Sequence, residues 1–189
     1  GEPAVGAEGF GGDDARTSIF DYGSMPELVK WVNGHRYDGG RLAPEQKELR
    51  AWYAHLLRLT TEPAFRRGDF LPLNRANGAN PRYGRLPGET ASGHWLYAFL
   101  RHDPRSGQRF LVVANLHGKE ILRDVRITFP PEAIRALKLA DGNAAITFQD
   151  RLAGTAPVEV NTTASTMRNQ GLDLPVLPPL TAYYFELKP

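Results

Sequence analysis

The sequence predicts a mainly β chain: an antiparallel β-sandwich of Greek-key type, preceded by a loop and one or two helices. Three observations carry that expectation. From residue 69 onward, short runs rich in Val, Ile, Phe, Tyr and Thr recur between turn sequences such as DPRSGQ and HGKE, the pattern of a sandwich or small barrel. Ahead of them, one segment carries apolar residues at helical rather than alternating spacing. The first 23 residues are glycine-rich and almost without periodicity, which reads as loop.

The elements follow in order. Residues 25–32 (MPELVKWV) make a short helix with Ser24 as N-cap and Pro26 and Glu27 in the first turn. NGHRYDGGRL returns to loop. Pro44 to Leu59 is the clearest helix, because Leu49, Trp52, Tyr53, Leu56 and Leu57 form one apolar stripe and Pro44 suits the first helical position. A stripe holding Trp52 and Tyr53 is expected to bury against something large. Residues 62–67 add one more turn, ended by Gly68. Strands are expected at 69–73, 94–102, 108–116, 120–129, 144–150, 156–162 and 181–188, with a helix at 131–139 and a long polar loop over 74–93.

Composition removes several classes of function. Of the 189 residues, 41% are hydrophobic and 23% charged, as in an ordinary globular chain, and no apolar run is long enough to span a membrane. The formal charge is +2 and the basic residues are scattered, so no nucleic-acid partner is expected. The chain has no cysteine, which excludes disulfides, thiol catalysis and thiolate metal sites. Histidines 35, 55, 94, 102 and 117 include no pair at metal-ligand spacing, and no phosphate or dinucleotide motif is present; no metal or cofactor is expected. Asn161 opens an N-T-T triplet that fits a glycosylation sequon.

RTSIFDY (16–22), KWVNG (30–34), YDGGRL (37–42), EQKELRAWYAHLLRL (45–59) and EPAFRRGDF (62–70) occur in that order. Their succession resembles the end of the catalytic domain in the α-amylase family of glycoside hydrolases. FLVVANLHGKE (110–120) and TAYYFELK (181–188) resemble strands of that family's C-terminal domain. The resemblance covers essentially the whole chain; Gly23 departs from it where a bulkier residue is expected. It implies that residues 1–67 are the last loop and helix of a truncated (β/α)8 barrel, and that 68–189 are a C-terminal antiparallel β-domain. The parent would act on starch or maltooligosaccharides as a hydrolase or transglycosylase. Its compartment is open, the periplasm or extracellular space included. Since the family's carboxylates lie on earlier barrel strands, the chain itself would hold no catalytic residue and would play a supporting role. A stand-alone carbohydrate-binding β-module or interaction domain is the alternative.

Four residues are candidates for sugar contact. Asp14 or Arg16 in the first loop would line an outer subsite or pin the loop to the barrel, although Asp13-Asp14 also reads as a solvated turn and Arg16, ahead of an apolar triplet, reads rather as an ion-pair anchor. Trp95 and Tyr97 alternate with Phe99 on one strand face, which suits a sandwich core; exposed, the same pair would make a sugar-stacking platform. The expected partners are an α-glucan through the parent enzyme, and either the missing barrel or a second copy against the helix bearing Trp52 and Leu56.

Overall fold

The computed structural model describes residues 26–139, 142–152 and 158–188, so the candidates Asp14 and Arg16 lie outside the described residues. The described part is mainly β, with a six-stranded antiparallel sheet and few helices. The elements are α1 (Pro26–Val32), α2 (Pro44–Leu59), α3 (Pro63–Arg66), β1 (Asp69–Pro72), α4 (Asn74–Asn77), β2 (Leu96–His102) and β3 (Arg109–Asn115). They continue with β4 (Arg126–Ile127), α5 (Pro131–Leu137), β5 (Ala145–Asp150), β6 (Glu159–Thr163), α6 (Ala164–Asn169), β7 (Leu172–Asp173) and β8 (Ala182–Lys188). The chain divides into two compact units, residues 1–55 and 56–189.

In the first unit α1 and the body of α2 are joined by polar and cation–π contacts. Glu27 binds Lys30 at 2.7 Å and receives a bond from Gln46. The Arg50 guanidinium lies 3.8 Å over the Trp31 ring, a cation–π contact. The Gln46 side chain accepts the Ala43 N–H at 2.9 Å, closing the start of α2. This pairing uses one side of α2 and leaves its apolar stripe outside: Leu49 is 58% exposed, Trp52 43% and Tyr53 53%. The burial expected of Trp52 and Tyr53 is therefore not found.

In the second unit the sheet order is β1-β2-β3-β8-β5-β6. The register sets Leu100 opposite Leu111, Leu111 opposite Phe185, and Phe148 opposite Leu187. With period-2 alternation these side chains share one face. That face is closed by Leu73, by Tyr83 from the polar segment, by Leu122 to Phe129, and by α5 and α6, all in one buried cluster. β4 and β7 pair separately as a two-stranded ribbon. On the opposite face Phe110 is fully buried under Leu59, Ala64 and Phe65. Two side chains lock this cover in place: Arg101 donates to the carbonyls of Ala64 and Phe65, and Gln108 accepts the Ala64 N–H at 3.1 Å.

The structure differs from the sequence expectation at 120–129, in the loop 74–93, which begins with the short helix α4, and at α6, where no helix is expected. The strand expected over 120–129 contracts to Arg126–Ile127 plus a bridge between Leu122 and Leu177. Asp124, with φ +51°, interrupts it. The segment 74–93 is held by side chains instead of a ladder. Asn74 donates to the carbonyls of Gly93 and Leu96 and accepts from Tyr83 Oη and the Ala98 N–H. Asn77 bonds both the carbonyl and the N–H of Thr128, and Asn80 donates to the Arg126 carbonyl.

Candidate functional site

Strand β2 decides where Trp95 and Tyr97 stand. Leu96, Ala98 and Leu100 are buried on the core face. The alternating set therefore turns away from the core, which corrects the reading of Trp95, Tyr97 and Phe99 as core residues. Both parities of WLYAFL are apolar, and the more compact aliphatic set takes the close-packed side, where volume is limiting. Tyr97 is 39% exposed and Phe70, on the neighbouring strand, 48%. Their rings lean on Phe99 at 5.7 and 5.1 Å, tilted by 50° and 44°. These rings form an uneven ridge rather than a flat platform.

Trp95 sits just before the strand, half-buried, and belongs to a different group of rings. The His94 imidazole stacks on the indole with centroids 4.4 Å apart and planes at 22°. His117 meets the same indole edge-on at 4.5 Å and 75°. His117 is fixed from below: its Nδ1 accepts the N–H groups of Lys119 and Glu120, which places its proton on Nε2. Asn115 in turn holds that loop, donating to the carbonyls of Glu120, Leu177 and Pro178 and accepting from the His117 N–H. His94 has no such anchor; its side chain is 65% exposed and lies 3.7 Å from the Glu89 carboxylate.

The Glu89 carboxylate is positioned by a tight turn. Leu86-Pro87-Gly88-Glu89 places Pro and then a glycine with φ +88° at the two central positions, the requirement of a type II turn. The Glu89 N–H reaches the Leu86 carbonyl at 3.1 Å and its Oε2 accepts the Leu86 N–H at 2.8 Å. Residues Gly88 to His94 line an open concavity beside this carboxylate. Sequence reading selected Trp95 and missed Glu89, His94 and His117. The P-G turn was a visible signal for a fixed carboxylate, but nothing local places His117 against a tryptophan 22 positions earlier.

One carboxylate pair does come together, and its chemistry is structural. Glu62 and Glu186 are bridged by the Gln108 amide at 2.7 and 3.1 Å and by Arg151, and Lys188 also binds Glu186. Burial alone would raise the Glu186 pKa, but Lys188, Gln108 and Arg151 together hold it below the usual carboxylate range. All four carboxylate oxygens are engaged by Gln108 or Arg151. Asp103 is similarly occupied: the Ser106 hydroxyl and Arg67 hold it well below the usual range against the opposing effect of burial. Among the described residues no cluster of three His, Asp or Glu side chains suits a metal ion, and no helix is long and apolar enough to cross a membrane.

Comparison of the chain with models of known families, with curated proteins and with solved structures returns no match.

Proposed function

We propose that the chain is the C-terminal part of an α-amylase-family glycoside hydrolase or transglycosylase acting on α-glucans, serving its parent as a supporting unit. The observation that carries this reading is the α2 stripe. Leu49, Trp52 and Tyr53 are all between 43% and 58% exposed. A row of large apolar residues on one helix is a liability in water unless another surface covers it. The order of motifs from RTSIFDY to TAYYFELK supports identifying that surface as a catalytic barrel. The non-sequential neighbours β3-β8-β5 support a Greek-key connection, and the pairing of β4 with β7 apart from the six-stranded sheet supports reading a second layer.

Two measurements test it. The purified chain, at high concentration, is expected to release no reducing ends from soluble starch; turnover surviving repurification overturns the reading. Deprived of a barrel, it is also expected to self-associate in sedimentation velocity, and the double variant Leu49→Glu, Trp52→Glu to sediment as a monomer. A wild-type chain that is monomeric at every concentration counts against a covered helix.

A second reading, a carbohydrate-binding β-module, is favoured by the exposure of Tyr97 and the ring group at Trp95. It is distinguished by glucan binding that survives removal of the α2 stripe.

A further inference from the structure

The geometry points to a surface glucan site on the indole of Trp95, occupied in the free protein by the protein's own His94. The ligand class rests on the α-glucan reading above; the site itself rests on local geometry. A near-parallel stack at 4.4 Å and 22° shows that a flat ring can approach this indole face from the solvent side. The occupant is weakly held, since the His94 side chain is 65% exposed and its nearest charged neighbour, Glu89, stands 3.7 Å away, beyond hydrogen-bond length. His117 supports the indole edge-on and is itself fixed by two backbone N–H groups, so the platform stays in place when His94 leaves.

Carbohydrate recognition needs an apolar face for the C–H side of the sugar and polar groups at its rim for the hydroxyls. Here Glu89 supplies the rim. Its Oε2 is committed to the Leu86 N–H, while Oε1 faces the ring position that His94 now fills. A pyranose replacing the imidazole brings hydroxyls to that oxygen, and the concavity lined by Gly88 to His94 gives room for the next residue of the chain. Neutral glucan suits the site better than an anionic ligand, because the Glu89 carboxylate faces the ring position while Arg85, the cation beside the concavity, is engaged by Ser92 and by the carbonyls of Gly78 and Ala79.

Calorimetric titration of the whole chain with maltoheptaose, and with cellohexaose as the β-linked control, tests the proposal. Maltoheptaose is expected to bind, His94→Ala to tighten binding several-fold by removing the competing ring, and Glu89→Ala to weaken it. Trp95→Ala, with its fold checked by circular dichroism, is expected to lose roughly tenfold or more in affinity. Because the His94 side chain is 65% exposed, its variant remains informative if Trp95→Ala fails to fold, and Glu89→Ala, which also loses the Leu86 N–H contact, has its fold checked in the same way. Weaker binding by His94→Ala, or binding indifferent to all three substitutions, overturns the site and leaves the supporting-unit reading to its own test. Cellohexaose binding that depends on Trp95, without maltoheptaose binding, overturns the ligand class and removes support from the α-glucan reading as well.

Discussion

At the scale of single residues, side-chain amides replace secondary structure over the longest irregular stretch of the described residues. Asn77 is fully buried and its amide satisfies the Thr128 N–H, the Thr128 carbonyl and the Leu73 carbonyl. Removing it strands those groups without water. Asn77→Ala is therefore expected to cost about 2–4 kcal/mol in urea unfolding, since each buried unsatisfied group costs roughly 1–3 kcal/mol. Asn77→Asp should be at least as harmful, because it sets a carboxylate oxygen against two carbonyls. An effect below about 1 kcal/mol for both variants would show that water replaces the amide. A glycine acts by absence: Gly171 has φ +89°, and a Cβ there would lie 2.3 Å from the Ile127 carbonyl oxygen. Any side chain at that position pushes β7 off β4.

At the scale of elements, what was legible in the sequence depended on where the partner lay. The α2 helix and the strand Arg109–Asn115 could be read directly, because their periodicity is local and their ends carry Pro44, Asp103 and Gly107. The α6 helix was hidden behind N-T-T-A-S-T, which reads as the tail of a strand. Thr163 ends β6 and also caps α6, accepting the Thr166 N–H at 3.1 Å. Thr163→Ala is expected to destabilise the fold by about 1 kcal/mol, readable as a shift in the urea midpoint. The burial parity of β2 was not decidable, since both faces of WLYAFL are apolar and only the packed structure separates the Leu96 set from the Trp95 set. The same limit hid the site around His94 and His117, whose ring contacts join residues far apart in the chain.

The cover over Phe110 is an element-scale device with a pH signature. Its charged surroundings are Glu62, Arg151, Glu186 and Lys188, with Gln108 between the carboxylates and Arg101 on the α3 carbonyls. The folded pKa of Glu186 lies below its ordinary value of 4.5. Its ionised form thus stabilises the fold above that value, and the contribution is lost as pH falls through the lower, folded pKa. Wild type is expected to lose stability to urea below about pH 4.5, and Glu186→Gln to be less stable at pH 7 but flatter with pH on the acid side. Equal acid slopes in the two proteins would assign the acid sensitivity to other carboxylates, Asp103 and Asp173 being the alternatives.

For the whole molecule, the sheet is apolar on both faces, and the two faces are covered by different parts of the chain. Among the described residues, the core face is closed from within residues 71–187. The other face depends on Leu59, Ala64 and Phe65, which precede the first strand. The change of periodicity at Gly68 marks where strands begin, but the packing of the β-rich unit starts at the end of α2, and the compact unit runs from Leu56. Truncation separates these two descriptions. Residues 56–189 are expected to fold alone, with a single cooperative urea transition. Residues 68–189 would lack the cover, leaving Phe110 and Tyr184 in water and Gln108 and Glu186 without Glu62 and the Ala64 N–H. Burial of one large aromatic is worth about 1.5–3 kcal/mol, and two are uncovered together with a broken charge group, out of the roughly 5–15 kcal/mol that stabilise a typical domain. The shorter piece is therefore expected to aggregate or melt well below the longer one. Equal stability of the two would mean that α3 is an ornament on the sheet, and that the outer face around Phe110 tolerates water.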